Sequence, residues 1–247
     1  MASRSYGQYC GVTTAVELIG ERWAMLIIRD LLVGPRRYTD LKQGLPRIPT
    51  NILSTRLKEL QEGGVVRRVP LMNCGLVYEL TPYGHELEPI VMALGRWGFQ
   101  AMGDPEEGDV VTADSLTMAL RTAFRPDAAA ALPAADYEVH IADVALRVQV
   151  DGDRLRIAQL SPSAAPAAGA RPRAAGPGRS PICGSAPSGE PELVFAAGPG
   201  IRRLISGELT PAEAIDLEVL AVVSGDATLL ERFAASFHID PGVALVA

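Results

Sequence analysis

The feature that most constrains the fold is a change of hydrophobic period between residues 49 and 80. From Pro49 to Glu62, apolar side chains recur every three or four residues, which predicts a helix with one buried stripe. Two glycines end this helix, and two β-rich runs follow, Val65–Val69 and Leu76–Leu80, which predict a hairpin. A helix that passes directly into a two-stranded hairpin leaves few arrangements open to this part of the chain.

Three further helices are predicted before residue 49. Apolar spacing between Gly11 and Val33 predicts two of them, with a break at Gly20. A short third helix is expected at Tyr38, opened by a capping Thr39 and closed near Gly44. A turn of a few residues then joins the third and fourth helices, which is the pattern of a helix-turn-helix with the hairpin as its wing.

One long amphipathic helix is predicted after the hairpin. Thr81 and Pro82 open it, it continues to about Met102, and Pro89 is expected to kink it. Its apolar side is expected to pair with a second copy of the chain. Trp97 in this helix, together with Trp23 and Tyr38, is expected in the core or at that dimer interface rather than as a stacking platform.

The length of 247 residues exceeds the commonest size of one hydrophobic core, so two domains are expected. We predict a winged helix-turn-helix domain at residues 1–104, a linker at 105–111 and a second domain at 112–247. The fold class is α+β, and the second domain is predicted to be α+β with a mixed sheet.

The second domain is predicted to combine short strands and helices around an insertion. Residues 161–191 are rich in Ala, Pro, Gly and Ser and are predicted to be disordered. Thr210 is predicted to open a helix through a capping box, and the strand at Leu217–Val223 is predicted to be buried. The other predicted elements are Ser115–Phe124, Tyr137–Ile141, Val144–Val150, Arg154–Leu160, Glu192–Ala197, Gly200–Ser206 and Asp226–Phe237.

Charge is unevenly distributed along the chain. The net charge is -6, but residues 22–68 hold ten basic and four acidic side chains, a local net charge of +6. Such a basic region is typical of a surface that binds double-stranded DNA.

The helix from Pro49 to Glu62 is predicted to be the recognition helix. It carries short polar side chains near its N-terminus, where they can reach base edges or phosphates in a major groove. Asn51 is the residue we favour for base readout, and Arg56 is expected either to hold a phosphate or to form an internal salt bridge. The predicted DNA-binding residues are Thr39, Thr50, Asn51, Ser54, Thr55, Arg56, Lys58, Arg67, Arg68 and Asn73, the last three in the wing.

Several function classes lack their sequence signals. The histidines His85, His140 and His238 do not have the spacing of metal ligands, and neither a Gly-rich phosphate loop nor a Ser elbow occurs. An enzyme, a metal site and a cofactor are therefore not expected. With no apolar run of eighteen residues and no secretory signal, a cytoplasmic protein without a membrane partner is expected. The three widely spaced cysteines do not indicate a disulfide framework.

Residues 10–98 resemble the HxlR branch of the MarR-like winged-helix regulators. The resemblance rests on Cys10, Ile19-Gly20-x-x-Trp23, Arg37-Tyr38-x-x-Leu41, Leu53-x-x-Arg56-Leu57-x-x-Leu60, Tyr78-x-Leu80-Thr81-x-x-Gly84 and Trp97-Gly98. It implies a transcriptional regulator that binds a near-palindromic operator as a homodimer. Two departures are Gly11, where the family usually has Pro, and Pro49, where it commonly has a capping Ser, so that Thr50 either takes over the cap or sits in the first turn.

The second half more loosely resembles the sterol carrier protein fold. The matching residues are Ser206-Gly207, Thr210-Pro211-x-x-Ala214, residues 219–225 and Leu230-x-x-Phe233. This resemblance implies an apolar small-molecule effector, whose binding we expect to change the spacing of the two recognition helices. A packing or dimerisation accessory is the alternative for this half.

Two alternative functions remain open from the sequence. Some relatives of the family sense oxidants or electrophiles through a cysteine that matches Cys10, which requires an exposed thiol of low pKa. The other alternative is a carrier of an apolar ligand whose first half mainly dimerises.

Overall fold

A computed structural model describes residues 5–71, 75–160 and 189–241. The chain forms two compact units with their boundary between Ala93 and Leu94, and each is described by itself.

The first unit begins with four helices and a hairpin. In chain order they are α1 (Gly11–Ile19), α2 (Ala24–Val33), α3 (Tyr38–Gly44), α4 (Thr50–Glu62), β1 (Val66–Leu71) and β2 (Gly75–Leu80). The four predicted helices and the predicted hairpin are confirmed. The element order α3, turn, α4, hairpin is that of a helix-turn-helix with a wing.

The wing is held to the helices through backbone hydrogen bonds. The strands β1 and β2 are antiparallel and pair from Val66 with Leu80 to Leu71 with Gly75. Arg36, just before α3, exchanges two backbone hydrogen bonds with Tyr78, at 2.7 and 2.9 Å. The hairpin therefore starts from a fixed position beside the helix-turn-helix.

The cap of α3 differs from the prediction. Thr39 lies inside the helix, and the N-terminal cap position is Arg37. The Arg37 backbone N–H donates to the Asp40 carboxylate at 2.9 Å. A carboxylate in the first turn both accepts from a free N–H group and favours the helix dipole, so Asp40 replaces the hydroxyl that we had assigned.

The predicted long helix after the hairpin is in fact two helices, α5 (Pro82–His85) and α6 (Glu88–Phe99). In a continuous helix Pro89 would lie against the carbonyl of His85, to which it has no N–H to donate. The chain instead breaks after His85, and Pro89 occupies the first turn of α6, where a missing N–H costs nothing. The expected kink is thus a full interruption.

The second unit is built on a five-stranded mixed sheet. Its strands are β3 (Ala135–Ile141), β4 (Val144–Asp151), β5 (Arg154–Leu160), β6 (Leu193–Ala197) and β7 (Leu220–Gly225), in the spatial order β5-β4-β3-β6-β7. Only β3 and β6 are parallel neighbours, and the other pairs are antiparallel. The mixed sheet and the turn at Gly152, with its φ of 59°, agree with the prediction.

Helices of the second unit pack with the sheet around an apolar core. They are α7 (Ala113–Ala123), α8 (Pro126–Ala130), α9 (Arg202–Ile205), α10 (Pro211–Asp216) and α11 (Leu229–Ser236), with a 3₁₀ turn at Pro199–Ile201 before α9. The capping box of α10 is confirmed, since Thr210 N–H donates to Glu213 at 2.9 Å and its hydroxyl accepts from Glu213 N–H. The core includes the fully buried rings of Tyr137, Phe195, Phe233 and Phe237.

One prediction for the second unit is wrong, one helix was not predicted, and one prediction lies outside the described residues. The strand expected to be buried near Leu217 is β7 at the side of the sheet, where Val223 is 63% exposed. The five-residue α8 was not predicted, because a helix of this length is too short to show a period. Most of the insertion predicted at 161–191 falls in residues 161–188, which the structure does not describe.

Candidate nucleic-acid interface

The helix α4, which we predicted to be the recognition helix, separates an apolar face from a polar one. Leu53, Leu57 and Leu60 are at most 1% exposed and fix the helix in the core of the first unit. Pro49 is the N-terminal cap residue and provides no side-chain cap, so Thr50 lies in the first turn. The second of the two arrangements left open for Thr50 is the one observed.

The polar face of α4 contains five of the ten predicted DNA-binding residues. Thr50, Asn51, Ser54 and Lys58 are exposed, and Thr55 is half-buried. Asn51, Thr55 and Lys58 lie opposite the leucine stripe, and Thr50 and Ser54 lie beside it, because successive residues of an α-helix are about 100° apart. The structure therefore brings these five predicted residues together on one surface.

Hydroxyl groups on this face bond within the protein. The Tyr38 hydroxyl lies 2.9 Å from the Thr50 carbonyl oxygen and 3.1 Å from Ser54 Oγ. Ser54 Oγ donates to the same carbonyl at 3.0 Å, and Thr55 Oγ1 donates to the Asn51 carbonyl at 2.9 Å. The first turn of α4 is thus tied to the first residue of α3.

Arg56 is placed differently from the other predicted residues. Its side chain is 16% exposed and forms ion pairs with Glu59 and, at 3.5 Å, with Glu21. This is the internal salt bridge left open by the sequence. Lys58 is 65% exposed and lies 3.6 Å from Glu62, so its ammonium group remains accessible to solvent.

The wing presents its two arginines on opposite faces. Arg67 pairs with Glu79 at 2.7 Å, while the Arg68 guanidinium lies 5.8 Å from the centre of the Tyr78 ring. Both arginines are exposed. Asn73 lies outside the described residues. Thr39 is exposed in the first turn of α3.

Sequence reasoning missed two residues of this surface. The Tyr38 hydroxyl contacts α4, although we expected its ring to serve only packing. Arg47 is exposed in the turn between α3 and α4. Its position in the helix-turn-helix turn and the local positive charge were the signals that could have identified it.

The two tryptophans have different surroundings. Trp23 is half-buried, with the Arg22 guanidinium 5.6 Å from its ring centre. Trp97 on α6 is 72% exposed, so core packing is wrong for this residue.

Cys10 is an exposed free thiol at the N-terminal cap of α1. Hydrogen bonds from the backbone N–H groups of Thr13 and Val12 stabilise the thiolate and lower the pKa of Cys10. Exposure and a lowered pKa are the two properties that thiol reactivity requires.

No group of three or more His, Cys, Asp or Glu side chains could hold a metal ion within the described parts of the chain. Among the helices of residues 5–71, 75–160 and 189–241, none is both long and apolar enough to cross a bilayer.

The fold and this surface define a winged helix-turn-helix protein. The family model of the HxlR-like helix-turn-helix matches residues 18–106. The uncharacterized HTH-type transcriptional regulator YvaP of Bacillus subtilis is 38% identical over 34% of this chain and 79% of its own length. HTH-type transcriptional regulator YodB of the same species is 34% identical over 40% of this chain and 87% of its own. The crystal structure of quinone-bound YodB from B. subtilis is 32% identical, covers 36% of this chain and 96% of that chain, and has a TM-score of 0.32.

The chain belongs to the HxlR-like helix-turn-helix family. It is a transcriptional regulator of HxlR type.

Proposed function

We propose that the protein binds a near-palindromic operator as a homodimer, with one copy of α4 in each of two successive major grooves. The observation that carries this proposal is the polar face of α4. Thr50, Asn51 and Ser54 are exposed at the N-terminal end of the helix, while three leucines anchor its other side. Recognition helices commonly enter the groove with this end.

Individual residues have separate roles in this proposal. Asn51 reads a base edge, because its side-chain amide can donate to and accept from adenine. Lys58, Arg67 and Arg68 hold phosphates, and Arg56 positions the helix through its ion pairs. Thr39, Thr50, Ser54, Thr55 and Asn73 complete the proposed contact set.

The homodimer would form through helices of the N-terminal domain, above all α6. Ile90, Leu94 and Trp97 are 49%, 47% and 72% exposed and lie on one face of this helix, at spacings of four and three residues. A twofold pairing of such faces would place two recognition helices about 34 Å apart, one turn of DNA.

The proposed organisation assigns DNA binding and dimerisation to residues 1–104, a linker to 105–111 and a sterol-carrier-like domain to 112–247. An apolar small molecule is the proposed effector of that domain. This part of the proposal is supported by the mixed sheet and by the capped α10 at Thr210 and Pro211, two of the residues that carried the resemblance. We also propose a cytoplasmic location.

Redox sensing through Cys10 is the second candidate function, and the exposed thiol with its lowered pKa favours it. An oxidant should then release the wild-type protein from DNA and leave a Cys10→Ser variant bound. An equal response of both proteins would rule out this role.

The test of the main proposal is a titration of the full chain with fluorescent duplexes that carry the DNA flanking its own gene. A regulator that contacts six to ten phosphates should lose about 10³ to 10⁵ in affinity between 50 and 200 mM salt. An Asn51→Ala variant should lose roughly 5- to 150-fold on the preferred duplex and little on an unrelated one. Absence of binding at low salt would leave the apolar-ligand carrier as the better description.

A further inference from the structure

Three oxygen atoms form a closed triangle at the start of the recognition helix. Tyr38 Oη, Ser54 Oγ and the Thr50 carbonyl oxygen lie 2.9 to 3.1 Å from one another. The triangle joins the first residue of α3 to the first two turns of α4.

The triangle contains only two protons, one on each hydroxyl, because the carbonyl oxygen can only accept. Each hydroxyl can donate to the Thr50 carbonyl, and either one can instead donate to the other hydroxyl. In each of these arrangements both hydroxyl protons are used inside the triangle. The two hydroxyl groups therefore offer only lone pairs to an outside ligand.

Thr55 reinforces this polarity on the same helix. Its hydroxyl donates to the Asn51 carbonyl at 2.9 Å, so its outward oxygen is also an acceptor. The side chains on the polar face of α4 that can donate are Thr50, Asn51 and Lys58. The polar face is thus divided into donors and acceptors.

An acceptor pair can bond only some groups of a DNA duplex. Phosphate oxygens are acceptors, as are guanine N7 and O6, adenine N7 and thymine O4 in the major groove. The donors there are the amino groups at adenine N6 and cytosine N4. Acceptors at the N-terminal end of α4 would select against the first set and for the second.

We infer that Tyr38 and Ser54 form an acceptor pair that specifies one adenine or cytosine amino group in each half-site. This inference rests on the proposed DNA-binding function and adds to it a residue outside the recognition helix. Tyr38 acts both on the duplex and on the orientation of the Ser54 hydroxyl.

The experiment begins with selection of preferred duplexes from a random pool by the full-length protein. Each adenine of the selected half-site is then replaced by purine, and each cytosine by 2-pyrimidinone, which removes the amino group. At one position the wild-type protein should lose about fivefold in affinity, the worth of one hydrogen bond. A Tyr38→Phe/Ser54→Ala variant should lose nothing more at that position.

Tyr83→Phe is the matched control, because Tyr83 is an exposed tyrosine on α5. It should retain the wild-type response to the analogues, and melting curves should show that the double variant is folded. Equal losses in wild type and double variant would overturn the acceptor pair while leaving DNA binding intact. If the wild-type protein retains no duplex from the pool, the proposed function fails and the inference fails with it.

Discussion

At the scale of single residues, two cations on α4 have opposite surroundings. Arg56 is 16% exposed between two glutamates, whereas Lys58 is 65% exposed. Removal of Arg56 breaks its ion pairs with Glu21 and Glu59. Removal of Lys58 mainly takes one positive charge from the surface proposed to bind DNA.

Arg56→Met should therefore lower stability by about 1 kcal/mol, with little change in the salt dependence of DNA binding. Lys58→Met should leave the melting temperature within about a degree and reduce the slope of log affinity against log salt by about 0.9. Thermal unfolding and duplex titrations of both variants separate the two roles. A reduced salt slope in Arg56→Met would show instead that its guanidinium reaches a phosphate.

Tyr137 makes the stability of the second unit depend on pH in the alkaline range. The ring is fully buried on β3, and desolvation raises the pKa of its hydroxyl well above the usual 10. Below pH 10 the hydroxyl is protonated in the folded and unfolded states, so its contribution to stability is complete. Above pH 10 only the unfolded chain ionises, and stability falls as pH rises.

Tyr137→Phe should change stability little at pH 8, because the hydroxyl makes only a long 3.5 Å contact with the Leu229 carbonyl. Above pH 10 the variant should lose less stability than wild type, by about 1.4 kcal/mol per pH unit. Urea unfolding between pH 8 and 11 measures the difference. The control is Tyr83→Phe, which changes an exposed tyrosine and should lose stability with pH as wild type does. If the stability of Tyr137→Phe falls with pH in parallel with that of wild type, the buried hydroxyl is not the cause.

At the scale of elements, the start of α3 shows how a cap can be misassigned. A hydroxyl residue and a carboxylate residue are adjacent at Thr39 and Asp40, and both types cap helices. The structure selects Asp40, which accepts from the Arg37 N–H. Residue type alone does not distinguish the two candidates. Which of them caps the helix depends on the backbone position of Arg37, which is set by the pairing of Arg36 with Tyr78.

Asp40→Ala should destabilise the protein by about 1 kcal/mol, since it leaves a helix N–H without its acceptor. Thr39→Ala should cost less than about 0.5 kcal/mol. Shifts of the urea midpoint followed by circular dichroism compare the two variants. A larger effect from Thr39→Ala would restore the cap that the sequence suggested.

The elements that could be predicted are those whose signal is local. The leucine period of α4, the glycines after it and the hairpin strands lie within one stretch of chain, and all were predicted. The Tyr38 contact with Thr50 was not, because twelve residues separate them and the contact depends on the angle between two helices. The pairing of β3 with β6 likewise joins segments more than fifty residues apart.

At the scale of the whole molecule, α6 has two different faces. Gly95 lies so close to Thr122 of α7 that an added Cβ would approach it to 2.9 Å, and Phe99 packs against the core of the second unit. Ile90, Leu94 and Trp97 lie on the opposite side and are exposed. The described part of the chain does not bury these apolar side chains, so a contact within it does not explain why they are apolar.

Trp97→Asp should convert the proposed dimer into a monomer and lower operator affinity by at least tenfold, because the two half-sites are then bound independently. Sedimentation velocity of the full-length protein measures the first effect. Val223→Asp is the matched control, since it changes an exposed apolar residue of the second unit. A Trp97→Asp protein that sediments as wild type would exclude α6 as the interface.

The strand β7 has a consequence for solubility. Residues 219–225 carry no charge, and β7 ends the sheet on one side among the described residues, which is the arrangement that invites edge-to-edge pairing with a strand of another molecule. Val223 is the extra residue of a bulge that breaks its alternation, and Glu218 and Asp226 flank the strand. Two such strands laid antiparallel would bring these carboxylates of different molecules together, so we expect their repulsion to oppose pairing of the edges. Hydrogen bonds from Thr228 lower the pKa of Asp226, so we expect this carboxylate to keep its charge, and with it the repulsion between edges, at more acid pH.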